Sequence, residues 1–115
     1  MLNVPATVPI YLYSGPVDMR KGFDGLSGIV RGQLGVDPLD GSLFLFINRR
    51  RDRLKILHFD GTGWWLYYKL LEAGTFETID SDGPYVELDA TQLAMLLGGV
   101  SLVGAKRRKR YRRAS

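Results

Sequence analysis

Between Arg49 and Lys55 the sequence reads RRRDRLK, four arginines and a lysine within seven residues, directly after the apolar run SLFLFIN. Guanidinium groups at that density either stay hydrated on a turn or bind phosphate or carboxylate through forked, charge-assisted hydrogen bonds. A second basic run, KRRKRYRR at 106–113, holds Lys106, Arg107, Arg108, Lys109, Arg110, Arg112 and Arg113. With seven of the sixteen basic residues there, nine remain in residues 1–105 against all twelve acidic ones, so a body of net charge −3 carries a tail of +7. Two separated basic clusters on an otherwise acidic chain fit phosphate neutralisation with counterion release better than they fit solubility alone. Arg20 and Lys21 add two more candidate phosphate contacts near the start of an expected helix, where backbone amides already favour anions.

Catalytic chemistry has less to work with. Asp18, Asp24, Asp60 and Asp82 are of the type a metal-dependent nuclease uses. Asp18 and Asp89 fit helix caps, however, and Asp60 and Asp82 sit in glycine-containing turns where aspartate bonds its own backbone. One histidine and no cysteine rule out a His/Cys zinc cluster, disulfides and thiolate chemistry, and fit a reducing cytoplasm. No serine lies in a nucleophile-elbow pattern, and GTGWW lacks the lysine and spacing of a phosphate-binding loop. His58 alternates with Ile56 and Leu54 on one strand face and reads as a core or partner-bonded imidazole. No catalytic residue, metal or cofactor is expected.

The elements that must position the arginines follow from periodicity. The chain has 115 residues, 45% hydrophobic and 24% charged, which bounds it to one domain, 1–105, ending in a flexible basic tail, 106–115. No run of about 18 apolar residues and no basic leader is present, so neither a membrane span nor a signal peptide is expected. PIYLYSG reads as a strand and turn. In VDMRKGFDGLSGIVRGQLG, Met19, Phe23, Leu26, Val30 and Leu34 fall on one helical face that Asp18 can cap, while Gly22, Gly25, Gly28 and Gly32 collect beside it. Helical glycines cost roughly 1 kcal/mol each relative to alanine, so close approach of another backbone is expected there.

SLFLFIN, LKILHF and WWLYYKL are separated by connections of hairpin length, which predicts an antiparallel meander. GTFETID reads as a further strand, YVEL as a short one, and DATQLAMLL as a helix opened by an Asp89/Gln92 capping box. The expected class is α+β, a mostly antiparallel sheet with two helices in β-α-β-β-β-β-α order. On WWLYYK, Trp65, Tyr67 and Lys69 share one face. If that face coincides with Phe44, Phe46 and Asn48 and with Lys55, Leu57 and Phe59, aromatics and lysines interleave on an open surface that can stack unpaired bases. Otherwise the aromatics line a core and the two lysines snorkel to water.

The segments IYLYSGPVDMRKGFDGL, LFLFINRRRDRLKILHFDGTGWWLYYKLLEAGTF and DATQLAMLLGGV resemble, in order, the TnpB accessory proteins of IS66-type bacterial insertion sequences, over roughly residues 10–100. The resemblance implies a small protein encoded beside a separate DDE-type transposase and associated with transposition. Carried over by position, the family motif points to Asp18, Met19, Arg20, Lys21 and Gly22. It points next to Asn48, Arg49, Arg50, Asp52, Arg53, Lys55 and Leu57, then to Gly63, Trp65 and Lys69. His58 stands where such sequences commonly have an aromatic. Beyond Gly99 the chain departs from the family pattern, so a role for the tail rests on its charge.

Residues and resemblance together lead to a non-catalytic, cytoplasmic transposition protein that binds DNA and assists the transposase. Phosphate contacts are expected from Arg49, Arg50, Arg51, Arg53 and Lys55, with the tail as a second electrostatic arm. Two other readings stand beside it. In one the motif residues form a contact surface for the transposase; in the other the aromatic face serves an RNA-binding regulator.

Overall fold

The computed structural model describes residues 7–79 and 81–98. Five strands form one sheet: β1 (Ile10–Tyr13), β2 (Leu43–Ile47), β3 (Arg53–Phe59), β4 (Trp64–Leu70) and β5 (Tyr85–Leu88). Their spatial order is β4-β3-β2-β1-β5, antiparallel throughout except for the β1/β2 pair, which is parallel. A parallel pair needs a crossover connection. Here it carries α1 (Phe23–Ile29), which widens into a π-helical turn at Val30–Leu34 and stops at Gly35 in the left-handed region, φ 67°. The second helix, α2 (Ala90–Gly98), follows β5. The β-α-β-β-β-β-α order and the β2-β3-β4 meander are those the sequence leads one to expect.

Both sheet faces are covered. Phe44, Phe46 and Leu57 pack with Val17, Leu26, Val30 and Leu34 on the α1 side. Ile10, Leu12, Leu43, Leu45, Ile47, Leu54 and Ile56 pack with Phe76, Leu88, Leu93 and Leu96 on the α2 side. Strand β2 is therefore buried at every position, which explains its unbroken LFLFI run in place of alternation. The α2 start is a reciprocal capping box: the Asp89 amide donates to Gln92 Oε1 at 2.9 Å and the Gln92 amide to Asp89 Oδ1 at 2.7 Å.

Three local expectations are corrected. Asp18 does not cap α1, which begins behind Gly22 with no side-chain cap; its carboxylate is taken by Arg20, two residues on. Residues 74–79 are not a strand, because Phe76 turns inward as a fully buried plug while its amide donates to the Arg51 carbonyl at 2.6 Å. No other backbone approaches the glycines of this segment. A Cβ at Gly22, Gly28 or Gly32 would meet nothing within 4 Å, and one at Gly25 meets only the flexible Lys21 side chain. Leu26, Val30 and Leu34, with Ile29 beside them, dock this segment, and the glycine side stays open.

A stability gain follows. Gly28→Ala fills no occupied space and removes backbone freedom from the unfolded chain, so it is expected to stabilise by about 0.5–1 kcal/mol. That corresponds to a rise in melting temperature of roughly 2–8 °C. A lower melting temperature would show that Gly28 is held in a conformation alanine does not tolerate.

Candidate nucleic-acid interface

The β2–β3 connection is built around one amide. Asn48 Oδ1 accepts from the Asp52 and Arg53 backbone amides at 3.1 and 3.0 Å, and its Nδ2 donates to Asp52 Oδ1 at 2.7 Å. The Asn48 amide donates to the Arg53 carbonyl and the Arg51 amide to the Asn48 carbonyl, each at 3.1 Å. Arg51 closes the turn at φ 61°, a conformation that favours glycine and that a side chain adopts only where its surroundings hold it. They do so here: Leu71 and Phe76 amides donate to the Asp52 and Arg51 carbonyls at 2.8 and 2.6 Å. Arg49, Arg50, Arg51 and Arg53 therefore project, exposed, from a braced loop. The Asn48 amide also holds the Asp52 carboxyl below the usual carboxylate range.

The segment before α1 closes against this hairpin. The Val17 amide donates to the Ile47 carbonyl at 3.0 Å. Lys55 is buried, 6% exposed, and its ammonium donates to the Met19 and Lys21 carbonyls at 2.7 and 2.9 Å while lying 4.8 Å from the Tyr68 ring centroid. Arg20 grips Asp18 through Nε and a terminal nitrogen, the latter at 2.6 Å. That forked bond brings the Asp18 carboxyl down to about 2. Between the two segments runs a groove of about 530 Å³, with Asp18, Met19 and Arg20 on one wall and Asn48, Arg49, Arg50, Asp52 and Arg53 on the other. A smaller hollow of about 260 Å³, on which Ser14, Arg49, Arg51 and Thr78 border, lies beside it.

The structure thus joins Arg20, Arg49, Arg50 and Arg53 around one groove, places Arg51 at its neighbour, and leaves Lys21 exposed beside it. Lys55 differs from expectation. Alternation along β3 turns it under the loop instead of toward solvent, where its ammonium meets two carbonyls and a ring and ties the segment before α1 to the sheet. Trp65 and Lys69 lie elsewhere. Trp65 Nε1 donates to Asp60 Oδ2 at 2.7 Å, and Lys69 Nζ donates to the Leu97 carbonyl at the end of α2 at 2.9 Å. The residues from Lys106 to Arg113 lie outside the described ones.

The interleaved aromatic surface is not formed. Phe44, Phe46 and Lys55 share the α1 face with Tyr68, whereas Trp65, Tyr67 and Lys69 share the α2 face with Leu45 and Ile56. Phe44 and Phe46 are fully buried. Tyr68 belongs to the site and was missed: its hydroxyl accepts from Arg53 at 3.1 Å, which raises the guanidinium pKa. The signal was present in its alternation with Leu66 and Trp64, which sets it opposite Lys55 once the β3–β4 register is known.

The remaining polar groups have structural work. Asp60 accepts from the Thr62 and Gly63 amides, the Thr62 hydroxyl and Trp65, and these bonds hold its carboxyl far below the ordinary range. His58 Nδ1 lies 3.4 Å from the Ser42 carbonyl. Among the described residues no group of three His, Cys, Asp or Glu could hold a metal ion, and no helix is long and apolar enough to cross a membrane.

Fold and site define a small α+β protein with a preorganised arginine groove at one end of its sheet. The chain belongs to the family described as IS66 Orf2 like protein, whose model matches residues 8–107, and it is accordingly an accessory protein of IS66 transposition. Protein y4hO of Sinorhizobium fredii (strain NBRC 101917 / NGR234), described as uncharacterized, is 36% identical over 100 residues, 87% of each chain. Protein y4jC of the same strain, also described as uncharacterized, is 32% identical over 108 residues, 94% of this chain and 92% of its own. No solved structure matches the chain.

Proposed function

We propose that this protein assists transposition without catalysing it, by binding DNA phosphates in the groove between the Asp18–Lys21 segment and the arginine hairpin. The observation that carries the reading is the bracing of the hairpin. Asn48 and the amides of Leu71 and Phe76 fix the turn before any ligand arrives, so the ordering cost that weakens a mobile arginine cluster is largely met in advance. A merely solvated turn has no need of a strained Arg51 or of a second chain segment tied to its carbonyls. Phosphates fit the exposed guanidinium forks, and the tail at 106–113 supplies a further, sequence-blind arm.

The alternative of an adaptor for the transposase uses the same groove, since carboxylates fit the same forks. The RNA-binding reading loses its basis with the aromatic surface described above. Filter binding with duplex DNA, single-stranded DNA and RNA across a salt series separates these readings. With about five phosphates neutralised, log affinity for duplex DNA is expected to fall against log salt with a slope near −4 to −5. Deleting residues 106–115 is expected to weaken all duplexes about equally and to flatten that slope. No measurable binding at low salt, or a slope near zero, rejects DNA binding in favour of the adaptor.

A further inference from the structure

Strand β4 is an edge of the sheet, and no described strand pairs with its outer side. The bonds from the Leu71 amide to the Asp52 carbonyl and from the Asp60 amide to the Gly63 carbonyl set the phase of the β3–β4 ladder. In that phase Trp65, Tyr67 and Lys69 bond inward to β3. Trp64, Leu66, Tyr68 and Leu70 consequently turn their amides and carbonyls outward. An edge of seven residues normally carries charges, proline or a bulge to prevent pairing. This one carries a single charge, Lys69, and exposes Trp65, Tyr68 and Leu70 by 52, 50 and 47%.

We propose that β4 pairs antiparallel with β4 of a second copy of this chain, about a two-fold axis through Tyr67. That register sets Trp64 opposite Leu70 and Leu66 opposite Tyr68 of the other copy, so all four outward-facing residues of each strand enter hydrogen-bonded pairs. Moving the axis to Leu66 or Tyr68 strands Leu70 or Trp64 beyond the end of the partner strand, so the Tyr67 axis satisfies the most backbone groups. Charge also favours a copy of the same strand. The one charged residue, Lys69, falls opposite the Trp65 ring on the same face, a favourable cation–aromatic pair, while the two lysines stay apart.

The product is a closed dimer with a continuous sheet made of two five-stranded ones. Arg53 pairs with Leu70 at the end of β4. The two arginine hairpins therefore stand at opposite ends, separated by about 20 Å along the strands and about 14 Å across them. One dimer presents two symmetric grooves.

The chain has no cysteine, so an introduced one reports alone. Tyr67 faces its own copy across the axis in a non-hydrogen-bonded pair, a spacing a disulfide can bridge. Sedimentation of the full chain is expected to give twice the 12.9 kDa chain mass. Under mild oxidation Tyr67→Cys is expected to form a covalent dimer and Leu70→Cys, whose counterpart lies at the far end of the strand, is not. If melting shows that Tyr67→Cys is not folded, the Trp65→Cys/Lys69→Cys double variant tests the same register. A monomer at tens of micromolar overturns the proposal, as does cross-linking of Leu70→Cys as readily as the axial variants. A full chain that stays monomeric while the chain lacking residues 99–115 dimerises overturns it as well.

Discussion

Replacing Arg49, Arg50 and Arg53 together by alanine is expected to reduce transposition in cells far more than deleting residues 106–115, even where both changes cost similar bulk DNA affinity. The three side chains are exposed and point away from both cores, so the variant should melt within a few degrees of the unaltered chain. Each lost phosphate contact releases about one counterion fewer, and three of them weaken duplex binding by roughly 10²–10³-fold near 0.1 M salt. The tail acts as a polyelectrolyte, whereas the hairpin arginines are fixed relative to the sheet and can favour one phosphate geometry. An in-cell transposition assay on both variants, with thermal melting as the folding control, decides the matter. Normal transposition by the triple variant would mean that RRRDR is a hydrated turn and nothing more.

Lys55→Met is expected to show a different kind of loss. Methionine preserves most of the stem volume but leaves the Met19 and Lys21 carbonyls without their donor inside the protein. At about 0.5–1.5 kcal/mol for each partly buried hydrogen bond lost, the variant should lose about 1–3 kcal/mol and melt roughly 5–15 °C lower. Because Lys55 holds one wall of the groove, DNA affinity should fall as well, yet the salt slope should stay unchanged because no phosphate contact has been removed. A variant with unaltered melting and a slope smaller by about 0.9 would instead make Lys55 a direct phosphate ligand.

The features legible in the sequence are the local ones. The capping box, the tight β3–β4 turn around Asp60 and the unbroken LFLFI strand each announce themselves within a few residues, since neighbouring atoms decide them. The parallel β1/β2 pairing is set by a crossover of some thirty residues, 14–42, and no local pattern encodes its register. The same distance hid the site's construction. Alternation places Lys55 on a definite strand face, but which face a distant loop will cover depends on where residues 16–22 return. Lys55 therefore reads as one more basic contact in a row of them, and nothing local marks Tyr68 as the partner of Arg53. Asp18 was misplaced for a related reason. Arg20 offers it a closer partner than the helix, which starts only after Gly22. The glycines of α1 obey a helical period, but a period says nothing about whether another chain segment lies against them.

The central claim is that the braced arginine hairpin binds DNA phosphates. Its most direct test is the salt dependence of duplex binding by the full chain beside that of the Arg49/Arg50/Arg53→Ala variant, measured in the same series. Three phosphate contacts at about 0.9 each predict that the variant's slope is shallower by nearly 3. Equal slopes for the two proteins, with both folded, would contradict the account and assign whatever DNA affinity exists to other parts of the chain.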